Sequence, residues 1–218
     1  MLIVIPARGG SKRVKNKNMR KVGGHPLLYY TIRAAQLAYP KAKIVVSSDS
    51  AQILEFAEKS GVESLMRNEE LAKDSVHSFY VCQDAYNRLE VSDSELVIML
   101  LPTSPLRTAA SIQGCVNLLK GDVESVISAV KSPIQPGQLW VKKGLDYVQL
   151  FSGREKNTQS QDWEKTYCIN GSIYVGTVKT LKKYQSFYSQ KLELYEMSEE
   201  ESFDINTERE FEILEKLL

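Results

Sequence analysis

The chain is expected to form an α/β domain, with a mainly parallel sheet and helices on both of its faces. Three observations predict this. Short apolar runs at 2–5, 43–47 and 96–101 have the unbroken hydrophobicity of strands buried on both sides. Segments with helical periodicity separate them, so strand and helix alternate through residues 2–130. A polar segment follows each run, at 7–18, at Ser47-Ser48-Asp49 and at 102–107, where an open parallel sheet places its ligands.

Taken in order, residues 2–5 (Leu-Ile-Val-Ile) read as the first strand. Pro26 can open a helix running to Tyr39, because its fixed φ suits a first helical position. The strand at 43–47 leads to Ser50, a candidate cap for a helix to Lys59, with Ile53, Phe56 and Ala57 on one face and Gly61 as its stop. A short strand at 62–66, a helix at 76–89 and the strand at 96–101 follow. A helix at 111–119 stops near Gly121, and 123–130 is again a strand. Beyond Lys131 the rhythm changes. Pro133, Pro136, Gly137, Gly144 and Gly153 break up short stretches, so 131–165 reads as an irregular β-rich insertion within a single domain spanning 1–218. Residues 168–175 return to strand, and 207–218 form a closing helix for which Thr207 and Glu210 supply a capping box.

The 218 residues are enough to bury a real core, and 43% hydrophobic with 25% charged residues is ordinary for a globular chain. A net charge of +1 gives no global argument for nucleic acid or membrane, and no apolar run approaches membrane-spanning length. Cys82, Cys115 and Cys168 have neither metal nor disulfide spacing, which makes a reducing cytoplasm the default expectation. The charge is uneven, however. Residues 8–21 carry Arg8, Lys12, Arg13, Lys15, Lys17, Arg20 and Lys21 with no acid among them. Gly9 and Gly10 allow backbone N–H groups to approach an anion, and the cations can add charge-assisted hydrogen bonds to phosphate. The loop fits neither the Gly-Lys-Ser/Thr nor the spaced-glycine phosphate motif. A solvated basic loop touching RNA is the alternative. RNA modules usually interleave aromatics with their cations, and 8–21 contains none.

At these residues the chain resembles the acylneuraminate cytidylyltransferases, the CMP-sialic acid synthetases. The matching pieces are Ile5-Pro6-Ala7-Arg8-Gly9-Gly10-Ser11-Lys12 with Lys17-Asn18, Ser47-Ser48-Asp49-Ser50, and Arg67 followed by Leu71-Ala72-Lys73-Asp74-Ser75. Pro102-Thr103-Ser104-Pro105-Leu106-Arg107, Asn170-Gly171-Ser172-Ile173-Tyr174 and Asp204-Ile205-Asn206-Thr207 complete them, in the family's order. The resemblance implies a Rossmann-like nucleotidyltransferase fold. It also implies a reaction in which the anomeric hydroxyl of an acidic nonulosonate attacks the α-phosphorus of CTP. It places Ala7, Arg8, Gly9, Gly10, Ser11, Lys12, Lys17 and Asn18 on the nucleotide, with the base near Arg67, Ser75, Val76 and Ser78. Arg8, Lys17 and Asp204 become the catalytic candidates, with Lys17 neutralising charge on the phosphates. Thr103, Ser104, Arg107, Gln161, Asn170 and Tyr174 become the sugar candidates. A homodimer built through the insertion is implied as well.

Residues 202–206 alternate as a strand does, which would put Asp204 and Asn206 on one face as oxygen ligands for Mg²⁺. The family usually has a second Asp where Asn206 stands. Ser75 can also be read as a helix N-cap, Asn170-Gly171 as a turn, and His77 as a partly exposed helix residue rather than a base. Three departures fall on the sugar side: Leu101 replaces the family's Gln, Cys168 an Arg, and Gln159-Ser160 a pair of Arg residues. They open the sugar to a related nonulosonate, or to another acid such as 3-deoxy-manno-octulosonate.

Overall fold

The computed structural model describes residues 1–10, 13–73, 75–150 and 165–218. In chain order the elements are β1 (Leu2–Pro6), the small hairpin β2 (Lys21–Val22) and β3 (His25–Pro26), α1 (Leu27–Ala38), β4 (Lys43–Ser48), α2 (Ala51–Lys59) and β5 (Glu63–Met66). Next come the single turn α3 (Glu69–Ala72), α4 (Ser78–Arg88), β6 (Leu96–Leu100), α5 (Ala109–Leu118) and β7 (Ser125–Lys131). The remainder are β8 (Trp140–Lys143), β9 (Asp146–Gln149), β10 (Tyr167–Thr177), α6 (Val178–Tyr184), β11 (Leu192–Met197) and α7 (Glu208–Leu217).

Seven strands form one sheet in the order β11-β7-β10-β6-β1-β4-β5. All neighbours run parallel except β10, which lies antiparallel to both β6 and β7. β1 sits between β4 and β6, and the chain leaves it toward β5 on one side before returning to β6 on the other. The carboxyl ends of β1 and β6 are therefore a topological switch point, the crevice where open α/β sheets bind ligands.

Because successive side chains point to opposite faces, β1 feeds two cores. Ile3 and Ile5 join Val46, Ile98 and Leu100 under α1, α2 and α5. Leu2 and Val4 join Val45, Val97 and Met99 with Phe79, Cys82 and Tyr86 of α4 and Leu181 of α6 on the other face. A third, smaller cluster packs Val14, Val22 and Leu27 against Ile205, Phe211 and Leu214. It ties the basic loop to the C-terminal segment. Arg20 reinforces the tie, pairing with Glu208 and lying 4.4 Å over the Phe211 ring.

Several sequence expectations need correction. Residues 203–206 are not a strand, although their alternation survives: Ile205 is buried while Asp204 and Asn206 remain half-buried. The helix expected from Val76 starts at Ser78, and its N-cap is His77, whose Nδ1 accepts from Phe79 N; Ser75 is exposed and caps nothing. Ser50 precedes α2 without a side-chain cap bond. Asn170-Gly171 is neither a plain turn nor regular strand. It is a bulge, where the β10–β7 register shifts between Ile169 and Tyr174 and Gly171 takes φ +73°. The capping box of Thr207 and Glu210 forms as expected.

Within the expected insertion, β8 and β9 pair as a two-stranded hairpin with its apolar side chains exposed. Gln159, Ser160, Gln161 and Trp163 lie outside the described residues, as do Ser11, Lys12 and Asp74.

Candidate functional site

The loop after β1 is shaped by its own polar groups. Ala7 is buried and continues the ladder, donating its N–H to Ser47 O at 2.9 Å. Gly9 N–H donates to Asp49 Oδ1 at 2.8 Å, so this amide is committed to the protein rather than open to an anion, contrary to expectation. Gly9 is needed for a steric reason, since a Cβ there would lie 2.8 Å from Ser50 Cβ. Gly10 is exposed, with open space around it. Asn18 is buried and its Nδ2 donates to Arg8 O at 2.9 Å, clamping the two ends of the loop together.

Arg8, Lys17 and Asn18 line an open cleft of about 250 Å³. Arg67, Lys73, Val76, Ser78, Leu101, Pro102 and Thr103 line it as well. Lys17 Nζ donates to Ile205 O at 2.6 Å, and Ile205 N donates to Thr103 O at 2.8 Å. The segment carrying Asp204 is thus fastened to both the basic loop and the loop after β6. Burial lowers the Lys17 pKa; the nearby Asp204 carboxylate opposes that shift, and Arg13 and Arg8 add to it. Arg67 is 7% exposed, and its Nη2 donates to Ser47 O at 2.8 Å. Burial lowers its pKa too, against the pull of Asp49.

Asp204 and Asn206 meet through an Asn206 Nδ2 to Asp204 Oδ2 hydrogen bond. The Asp204 carboxylate fits a Mg²⁺ held chiefly by substrate phosphates, which commonly takes one or two carboxylates plus water, whereas Asn206 turns its amide nitrogen, not its oxygen, toward Asp204. Among the described residues no group of three or more His, Cys, Asp or Glu forms a metal cage. Glu210 Oε2 accepts from Thr207 N at 2.7 Å and from Asn206 N, which fixes the turn that presents Asp204.

The sugar candidates do not converge. Thr103 lines the cleft. Ser104 is 1% exposed with no partner for its Oγ, and Arg107 is 3% exposed behind the wall. Asn170 is engaged on every side: its Oδ1 accepts from Ser128 Oγ and Ser172 N, and its Nδ2 donates to Ser202 Oγ and Met197 Sδ. Tyr174 packs 5.5 Å from the Phe187 ring, and burial, with Tyr188 and Asp204 adding, pushes its hydroxyl up to about 12. Sequence reasoning missed Asp49, Lys73 and Glu210 as parts of the site. The first two stand inside motifs that were matched, and Glu210 was seen only as a helix cap.

The family profile described as Cytidylyltransferase matches residues 2–217. The chain belongs to the cytidylyltransferase family. Among its cytidylyltransferase relatives, a CMP-N,N'-diacetyllegionaminic acid synthase of Legionella pneumophila is 35% identical over 227 residues, covering 100% of this chain and 96% of that protein. An N-acylneuraminate cytidylyltransferase of Streptococcus agalactiae is 30% identical over 213 residues; the match covers 96% of this chain but only 51% of that longer protein. Among solved structures, a CMP:2-keto-3-deoxy-manno-octonic acid synthetase complexed with CTP matches with a TM-score of 0.75 and 16% identity, covering 99% of this chain and 97% of that one. That likeness confirms the α/β cytidylyltransferase fold.

Proposed function

We propose that this chain transfers CMP from CTP to an acidic nonulosonate sugar. The observation that carries this reading is the cationic cleft at the switch point, lined by Arg8, Lys17, Arg67 and Lys73, with Lys17 fastened to Ile205 next to Asp204. The sugar's anomeric oxygen forms a bond to the α-phosphorus, the α–β anhydride bond breaks, pyrophosphate leaves and the hydroxyl proton is released. Such transfers depend on alignment and on stabilising charge rather than on covalent chemistry by the protein. Lys17, fixed by Ile205, is placed to offset charge on the phosphates, and Arg8 can assist from the same loop. Arg67, beside Val76 and Ser78, is suited to the carbonyl and ring nitrogen acceptors of cytosine. When bound between Asp204 and the phosphates, Mg²⁺ would supply Lewis acidity.

A nonulosonate is favoured by the Legionella relative, whose name specifies one and which matches this chain over nearly its whole length. Leu101 in the cleft wall supports a sugar different from N-acetylneuraminate. Homodimerisation through the β8–β9 hairpin and a cytoplasmic setting belong to the same reading. The test is a pyrophosphate-release assay with all four nucleotides against a panel of acidic sugars. Release is expected with CTP, Mg²⁺ and a nonulosonate. Turnover with ATP or GTP but not CTP would overturn the base assignment, and turnover with the octulosonate alone would change the sugar.

A further inference from the structure

Arg107 is buried to 3% exposure, and its hydrogen-bond partners are all neutral. Nη1 donates to Ser172 O at 2.8 Å, to Ser172 Oγ at 3.2 Å and to Leu101 O at 3.2 Å, and Nη2 donates to Thr31 Oγ1 at 2.8 Å. Nε has no partner, and neither has the buried Ser104 Oγ three residues earlier. No carboxylate faces the guanidinium among the described residues, and burial keeps the nearby Cys115 thiol neutral. A water between Nε and Ser104 would satisfy hydrogen bonds and leave the charge in place. Burying a cation without an anion is costly, and apolar residues of similar volume often replace such groups with no loss of stability. Scaffolding alone therefore accounts poorly for an arginine here.

Its position suggests what the charge acts on. Arg107 is one carbonyl removed from Leu101, which lines the cleft, and it also grips Ser172 beside the β10 bulge. Leu101, Pro102 and Thr103 carry no charge of their own, and the lining cation that hydrogen bonds bring nearest to them is Lys17, linked to Thr103 through Ile205. Charges in a low-dielectric wall are weakly screened and act across it.

We propose that Arg107 is a positioning residue that works through its charge: from behind the Leu101–Thr103 wall it favours an anionic sugar over a neutral one, touching neither substrate. This rests on the acidic-sugar reading above. The decisive experiment compares the acidic sugar with its neutral carboxamide in the CTP-dependent assay, for wild type, Arg107→Met and Arg107→Lys. Arg107→Met is expected to shrink the acid-over-amide ratio of kcat/KM by about tenfold, chiefly through KM for the acid, while Arg107→Lys retains the ratio. An unchanged ratio in Arg107→Met, or equal losses on both sugars, would overturn the proposal and leave Arg107 as scaffold. Should the Met variant not fold, Arg107→Gln takes its place: a shrunken ratio supports the charge, and an unchanged one refutes it. A wild type inactive with every acidic sugar would remove the function and this proposal together, whereas an active wild type with an unchanged Met variant removes only the proposal.

Discussion

Lys17 shows at the scale of one residue how a site and its fold make opposite demands. Its ammonium donates to Ile205 O at 2.6 Å and stands near Asp204, yet burial outweighs that carboxylate and lowers its pKa. Replacing it with the similarly sized, uncharged Met should reduce kcat by about 10²-fold, the scale of removing one preorganised charge-stabilising donor. Thermal unfolding of the variant should stay level or improve; equal losses of activity and stability would make Lys17 structural. The sign of its pH dependence follows from linkage. With a folded-state pKa below the unfolded one, the unfolded chain binds more protons between the two values, so Lys17's contribution to stability rises with pH through that window. Activity needs the charged ammonium and should fall as pH passes the lowered folded-state value, below the ordinary lysine range. Denaturant melts and kcat profiles of wild type and Lys17→Met across the alkaline range will show this divergence. Parallel decline of both quantities, with the same limb in the variant, would refute it.

At the scale of elements, the sequence was legible wherever local pattern and tertiary role agree. The apolar runs of β1, β4 and β6 are buried on both faces, and the Thr207–Glu210 box forms where its spacing places it. β11 escaped because its apolar residues alternate with Glu193 and Glu196 at the sheet edge, so it reads as acidic surface. α6 is seven residues with three lysines and gives little periodic signal. Arg107 is a sugar candidate through its place in the Pro-Thr-Ser-Pro-Leu-Arg motif; the carbonyls that hold it come from Leu101 and from Ser172, 65 positions away, and no local pattern announces them. The hydrogen bonds of Asn170 are illegible for the same reason, its partners lying on β7, β11 and the turn before Asp204. Two variants separate packing from positioning. Gly114→Ala would set a Cβ 2.4 Å from the Tyr195 ring where α5 crosses β11, costing about 1–3 kcal/mol with kcat of the folded fraction unchanged. Glu210→Ala removes the capping box at a cost of about 1 kcal/mol and releases the amides that fix the Asp204 turn, so kcat should fall as well. Melting curves with active-site-titrated rates make the comparison; an unchanged kcat in Glu210→Ala would detach α7 from the chemistry.

At the scale of the whole molecule, the β8–β9 hairpin is the part that this chain alone does not explain. A two-stranded ribbon is marginal in water without something to pack on. Here Trp140 is 58% exposed, Tyr147 66% and Leu145 95%, with Val141 opposite Val148 across the ribbon. Trp140 and Tyr147 share one face of the ribbon and Val141 and Val148 the other. Exposed apolar surface of this kind marks an interaction site, and a closed twofold pair buries the same patch on both copies. The dimer proposed above is therefore expected to use this ribbon. Trp140→Glu combined with Tyr147→Glu places two carboxylates on one face of the ribbon, and desolvating unpaired charges should disfavour association strongly. Light scattering across a micromolar dilution series should give a dimer for wild type and a monomer for the double variant, with far-UV circular dichroism confirming an intact sheet. Assayed at the same concentrations, the monomer should lose activity if the partner's ribbon helps enclose the cleft. A double variant that remains dimeric moves the interface elsewhere, and one that is monomeric with full turnover separates assembly from catalysis.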